Sequence, residues 1–542
     1  MKNLSKITFM FFLSLFLMAS CKNSPNLNDS LTAIPKDATS VTAVNINSLM
    51  QKADFEAVKN MDFYKESIAE AEKENPAMAE IMKDPKKSGI DLTKNIYVIQ
   101  EYNLLESGNG SDDGTILMSI ADVKAFEAML QSAKAGDIQT KDGIKYIVMD
   151  KEREETTEEG YKVNHKNNGT VAWNDKMAVL GSHSVQGILS GEEGNIFSFF
   201  KTKPEESVAQ NSHLKDLMGK THDIYTFVSL DKYADNMSAK AAAGAMNLDP
   251  KALKGNYFTG FADFEKGQIV SKSDFKINKA ITKEWGLLFK DNVKTDFSKY
   301  MNGQNMGFAM TLALDMKGLK EIINANPQFQ MMTKSSESAL NFTIDDLCKA
   351  LDGDIVITAI PNADAKDDKW SGMMGFKISD KPTIQKLMDV MVNEEVLVKE
   401  NDNNFRFSGI ADEMSKSYIE KNKITIINDV LFMGDYNTVS SLTDKGSVSG
   451  DVKDVLNKNI FGLYVNFEKV FAQSEDMKNP EITEMKMMFN AKSGENIIKV
   501  RDQNENSLKS LMKTANKWYL QNKAEKEKAK KEDSPSTEKE AI

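Results

Sequence analysis

The chain has 542 residues, enough for two or more ordinary domains, and its 41 % apolar and 27 % charged content is that of a globular protein. A net charge of −11 excludes non-specific nucleic-acid binding, which needs a basic surface. Four His, against 31 Met and 28 Phe, leave little material for a His-based metal centre, and no cofactor is expected.

Residues 1–20 read as a signal peptide: Lys2 and Lys6, an apolar run from Ile7 to Ala19, then small residues. The run is short for a bilayer span. Leu17-Met18-Ala19-Ser20-Cys21 resembles the bacterial lipobox, with Met18 at the position usually held by Leu. That resemblance implies lipidation at Cys21 and a membrane partner reached through the acyl chains. Lys22 in place of Asp implies the outer membrane, and the lack of an acidic run after the Cys implies its periplasmic face. Lys22 to Ser30 is polar and reads as a tether.

Val41 to Ile46 is a β-branched strand that runs into a short helix with Leu49 and Met50. Phe63 to Lys83 is helical and broken at Asn75-Pro76. A strand at Asn95 to Gln100 and a polar loop follow, and then Ile116 to Leu130, a strand that ends at Asp122 and turns into an amphipathic helix. Asp122 stands where an N-cap belongs. The rest of the first half reads as a strand at Gly143 to Asp150, a strand pair turning at Asn174-Asp175, a helix near Ser184, a strand at Asp223 to Leu230, and a hairpin from Tyr257 to Phe275.

The second half repeats this order. Met306 to Leu314 answers the first strand, Asp354 to Ile360 the second, and Met373 to Met388 the strand–Asp–helix unit, with Asp380 in the place of Asp122. Asn428-Asp429 answers Asn174-Asp175, and Met485 to Val500 answers the closing hairpin. Phe126 and Met129, with Ile384 and Leu387, should face the sheet of their own half. The expected fold is therefore α+β: two tandem homologous domains, each a mainly antiparallel sheet with helices packed on one face. The expected limits are 1–20 signal peptide, 21–33 lipidated Cys and tether, 34–288 first domain, 289–521 second domain, and 522–542 a charged, disordered tail.

Ile34-Pro35-Lys36-Asp37-Ala38, followed by the Val41 to Ile46 strand and a short helix, resembles a family of uncharacterised lipoproteins from Bacteroidota, defined as a domain of unknown function. The resemblance brings an envelope address and no activity.

No nucleotide-binding, zincin or Cys-x-x-Cys motif is present. Asp122 and Asp380 could form a carboxylate pair, but capping explains their positions. Gly181-Ser182-His183-Ser184 lacks the G-x-S-x-G spacing of a nucleophile elbow, sits at a strand end and reads as a turn. His213 and His222, with Asp223, have poor spacing for zinc. Asp112-Asp113 and the group Asp364, Asp367, Asp368 occupy matching loops whose carboxylates could hold Ca²⁺ or simply be solvated. Cys348 reads as a buried small residue. The leading expectation is a membrane-anchored, non-enzymatic binding or scaffold protein with an envelope protein or glycan partner. The rivals are an envelope hydrolase or glycan-processing enzyme, and an assembly factor with an apolar groove.

Overall fold

The structure, a computed structural model, describes residues 30–532 apart from 105–109, 157–161, 184–194, 236–248, 304, 326–329, 332–341, 362–369, 409–421, 437–447 and 473–478. The expected lipidation site at Cys21, the start of the helix near Ser184 and the Asp364, Asp367, Asp368 loop therefore lie outside the described residues. The fold is α+β, with mixed helices and antiparallel strands. Two compact units divide it. Unit 1 is Met1–Ser229, Thr259–Gln268 and Asp502–Ile542; unit 2 is Leu230–Phe258 and Ile269–Arg501. These limits differ from the expected ones, because part of a central hairpin and the C-terminal segment group with the first unit.

Unit 1 holds β1 (Ser40–Val44), β2 (Ile96–Leu104), β3 (Gly110–Ser119), β4 (Gln139–Lys141), β5 (Ile144–Thr156), β6 (Lys162–Trp173), β7 (Met177–His183) and β8 (Ile224–Ser229). Their antiparallel order is β8-β1-β2-β3-β7-β6-β5-β4. Alternate residues of β1 and β8 are buried, as the period-2 geometry of a strand requires. Helix α1 (Ile46–Ala53) follows β1, α2 (Asp62–Glu74) and α3 (Pro76–Lys83) follow in turn, and α4 (Val123–Ser132) follows β3. Asn75 Oδ1 accepts Met78 N–H and starts α3, with Pro76 at a position where a missing N–H costs nothing.

Phe126 and Leu130 of α4 are buried against Ile96, Met118, Ile147 and Trp173, and Met129 packs at the edge of the same cluster. Phe126 meets Trp173 edge-on, with centroids 5.9 Å apart. Gly89 has φ +76°, and a Cβ there would stand 2.3 Å from Asp122 O, so only glycine lets this turn approach the start of α4.

β9 (Tyr257–Phe264) and β10 (Gln268–Lys276) are the segment through which the division into units passes. Unit 2 then holds β11 (Phe308–Ala313), β12 (Leu351–Pro361), β13 (Trp370–Ile378), β14 (Leu397–Asn401), β15 (Asn404–Phe407), β16 (Lys423–Ile427), β17 (Val430–Gly434), β18 (Phe461–Asn466), β19 (Ile482–Phe489) and β20 (Ser493–Val500). Their antiparallel order is β20-β19-β18-β11-β12-β13-β17-β16-β15-β14. Helix α5 (Lys381–Asn393) follows β13 and buries Ile384 and Met388 against Ile378, Phe405, Ile424 and Leu431, with Leu387 partly buried beside them. Helix α6 (Gly450–Asn457) lies on the opposite face: Thr311 Oγ1 donates to Leu456 O at 2.8 Å, and a Cβ on Gly462 would stand 2.1 Å from Val455 O. Ala309, Val356, Met373, Phe432 and Tyr464 form the core beneath it.

The chain ends in α7 (Ser507–Glu532). The tail expected to be disordered from Asn522 thus continues as helix through Glu532. Its Ala, Glu and Lys are strong helix formers and need no burial to extend a helix already anchored upstream. The anchoring lies inside unit 1. Leu508 and Met512 pack against Ala53, Val58, Met61 and Tyr64; Lys509 pairs with Asp54 at 2.8 Å; Asn516 accepts Phe63 N–H and donates to Asp62; Tyr519 and Lys523 both reach Glu66.

Candidate functional site

Among the described residues the most elaborate buried polar cluster lies in unit 1, where α1, the start of β8 and the end of β9 converge. Asp223 is the residue before β8, and its side chain is 1 % exposed. A buried carboxylate must find donors or neutralise itself. Asp223 finds three: Lys52 Nζ at 2.6 Å, Ser48 Oγ at 2.5 Å and Phe264 N–H at 2.6 Å. The helical spacing of Ser48 and Lys52 puts both on one side of α1. That helix is started by Asn45, whose Oδ1 accepts Ser48 N–H and whose amide donates to His222 O.

Asp263 is the second carboxylate of the cluster. Its Oδ1 accepts Asp223 N–H at 3.0 Å, and its Oδ2 lies 2.7 Å from His222 Nδ1. The imidazole stacks on Phe261 with centroids 3.7 Å apart and meets Tyr225 edge-on. Tyr225 O–H donates to Lys220 O and accepts His222 N–H. Burial holds the Tyr225 phenol above its ordinary pKa despite the stabilising His222 N–H, and the charges of Asp263 and Asp223 push the same way as burial.

A carboxylate-oriented imidazole is half of many catalytic devices, whose other nitrogen must face the reacting group. Here His222 Nε2 is enclosed and has no partner among the described residues. Ser48 gives its hydroxyl to Asp223, so this is no nucleophile–base relay. What the cluster does is join chain segments around residues 45–52, 222–225 and 261–264. Sequence reading named His222 and Asp223 only as a poor zinc pair; it missed Asp263, Lys52 and Ser48, which are distant in the chain. No group of His, Cys, Asp and Glu among the described residues could hold a metal.

The other singled-out residues are placed as follows. Asp122 Oδ1 accepts Lys124 N–H at 2.9 Å and Ala125 N–H at 3.1 Å at the start of α4. Asp380 Oδ2 accepts Thr383 N–H at 3.1 Å at the start of α5, and the Thr383 hydroxyl also reaches it. Each cap sits in its own unit. Ser182 and His183 are the last residues of β7 rather than a turn: Ser182 pairs with Gly114, and His183 with Asn168. Asp112 and Asp113 likewise extend β3, opposite Tyr102 and Glu101, instead of lying in a hairpin loop. His213 lies in the short helix Ser212–Met218. Cys348 is half-buried; burial raises its thiol pKa, Asp345 adds to the rise and Lys320 opposes it, so the thiolate needed of a nucleophile is disfavoured.

A family profile described as "Domain of unknown function (DUF4836)" matches residues 31–366. The chain belongs to this family. No curated protein matches this DUF4836 chain. Among solved structures, crystal form I of TP0453 is similar at 10 % identity and a TM-score of 0.23, covering 47 % of this chain and 83 % of that one. Crystal form III of TP0453 gives the same identity and TM-score, with 49 % of this chain and 90 % of that one covered.

Proposed function

We propose that the chain is a lipid-anchored protein of the bacterial envelope, of the Bacteroidota lipoprotein kind, whose body binds a partner and performs no catalysis. The stretch Leu17 to Cys21, preceded by a basic start and an apolar run, carries this reading. Cys21 would bear the acyl chains, Lys22 directs the protein to the outer membrane, and the polar tether leaves the body on the periplasmic face. No described helix is long and apolar enough to cross a membrane. The enclosed Nε2 of His222 supports a non-catalytic role for the most catalytic-looking group in the body. We also propose that the two units are homologous products of a tandem duplication. The common strand order β8-β1-β2-β3-β7-β6-β5-β4 and β18-β11-β12-β13-β17-β16-β15-β14 supports it, as do the matching caps Asp122 and Asp380.

Cys21→Ser tests the anchor. The variant should move from the membrane pellet to the soluble fraction and lose incorporation of labelled palmitate. A variant that still pellets after a high-salt wash would sink the lipoprotein reading.

A further inference from the structure

Helix α7 has three distinct sides. One packs on α1 and α2 through Leu508, Met512 and Tyr519. The second is basic. Lys517, Leu520, Ala524, Lys528 and Lys531 recur three and four residues apart, so they share one side of the helix, and this line carries no carboxylate. Lys517, Leu520 and Ala524 are exposed, Leu520 by 42 %. Lys513, one turn earlier on the same side, is paired with Glu505. The third side begins one residue round from Lys517, at Trp518, which is 63 % exposed. Over its length α7 holds eight Lys and three Glu, in a chain whose net charge is −11. A run of Lys and Glu alone would be a solvated surface. Lysines flanked by an exposed leucine and an exposed tryptophan have the composition of a helix that lies in a membrane interface.

We infer that α7 lays its basic side on an anionic membrane surface and so fixes the orientation of unit 1 on the bilayer. The inference rests on the lipid-anchor reading above and adds a second membrane contact to it. Position argues for it. Ser30 is held at the end of β3, with its Oγ 2.6 Å from Ser119 Oγ. Val44 of β1 pairs with Ile96 of β2, and Tyr97 pairs with Leu117 of β3, so the end of β3 and the start of α1 lie at one end of the sheet. It is on α1 that α7 packs, through Leu508 and the Lys509–Asp54 pair. The nine residues from Cys21 to Asp29 span at most about 30 Å, and the 26 residues of α7 extend about 39 Å. A bilayer that holds Cys21 is therefore within reach of the helix, and so short a tether keeps the two at a high effective concentration. Charge argues the same way, because a cluster of lysines on one helix is drawn to an anionic leaflet over about a Debye length, ~8 Å at physiological salt. An indole and a leucine beside those lysines suit the boundary between headgroups and hydrocarbon. A second copy fits poorly: a twofold contact would set each line of lysines against its own equivalent. A protein partner fits less well too, since the centres of such interfaces are depleted of Lys.

The test mixes the full Cys21→Ser chain with vesicles of phosphatidylcholine, alone or with phosphatidylglycerol added, and reads the bound fraction by sedimentation. Stronger binding to the anionic vesicles is expected, and it should fall as salt is raised. Trp fluorescence should shift to the blue on those vesicles, and Trp518→Phe should remove the shift. Lys517→Glu with Lys528→Glu should keep the fold by circular dichroism and weaken anionic binding at least about tenfold. Lys203→Glu with Lys215→Glu makes the same charge change on exposed lysines of unit 1 outside α7, and should leave binding within about twofold of the parent. No preference of the folded parent for anionic vesicles, or undiminished binding by the folded α7 pair, overturns the inference. So does an equal loss in both pairs, which would assign the effect to net charge. Binding to soluble polyglutamate but not to anionic vesicles would overturn it in favour of an acidic protein. Every arm has the same N-terminus and no anchor, so failure of the Cys21 membrane test and failure of this one are read separately.

Discussion

Asp223 sits almost entirely out of water, and three donors from two other segments converge on it. Removing a buried carboxylate leaves those donors unmatched, and Asp223→Ala should cost roughly 3–5 kcal/mol in urea unfolding. Lys52→Met should cost less, roughly 1–3 kcal/mol, because the ammonium is partly exposed and Ser48 and Phe264 still hold the carboxylate. Equal and small effects, below about 1 kcal/mol, would show that the cluster ties nothing together. A second residue sets an acid limit. Burial works to raise the pKa of Asp451, but donation from Lys486 and Ser449 and the charge of Lys499 outweigh it and hold the carboxyl well below the usual range. A folded pKa depressed below the unfolded value of about 3.9 gives stability that is present above that pH and lost as pH falls towards the folded value. The side chain is 56 % exposed, so solvent screens the effect and no energy is attached to it. Urea midpoints of the parent should fall between about pH 4 and pH 2, and Asp451→Asn should flatten that fall. Parallel curves for the two proteins would remove Asp451 from the account.

At the scale of elements, strand, Asp cap and amphipathic helix form a unit in which each part fixes the next. Asp122→Ala should cost roughly 0.5–2 kcal/mol, the range for a lost cap, and Phe126→Ala roughly 3–5 kcal/mol, because the ring is 2 % exposed against Trp173. A Phe126→Ala penalty no larger than the cap's would mean that α4 is held by its start rather than by its face. This unit was legible from sequence because its signals are local: a carboxylate, Pro382 in one copy, and apolar residues three and four apart. The turns at Asn174-Asp175 and Asn428-Asp429 were legible for the same reason; Asn174 Oδ1 accepts two following N–H groups, and Asn428 takes φ +55°. What sequence did not disclose was non-local. Asp263 meets His222 across 41 positions, and nothing near either residue announces the other. The Ser182-His183 and Asp112-Asp113 stretches were misread because polar strand ends share the composition of turns, and their pairing depends on partners elsewhere in the sheet.

On the scale of the molecule, both ends of the described chain are tied into unit 1. Ser30 is buried with its Oγ 2.6 Å from Ser119 Oγ, and α7 covers α1 and α2 through Lys509, Asn516 and Tyr519. Deleting everything after Asn506 should lower the melting temperature of unit 1 by several degrees or leave it unfolded, while deleting everything after Asn522 removes the exposed Lys523–Glu66 pair and should cost less than about 1 kcal/mol. An unchanged melting temperature on the longer deletion would show that α7 rests on a unit already complete without it.

Lys509 and Asp54 lie 455 positions apart in the chain. A contact of that separation has a temporal meaning for a polypeptide made from its first residue onwards. Unit 1 cannot complete its packing until the residues of α7 from Ser507 onwards have been made, so until then it stays short of its final contacts. The step that locks the leading unit is supplied by the trailing helix, so a nascent chain keeps its first unit open to rearrangement until α7 is made.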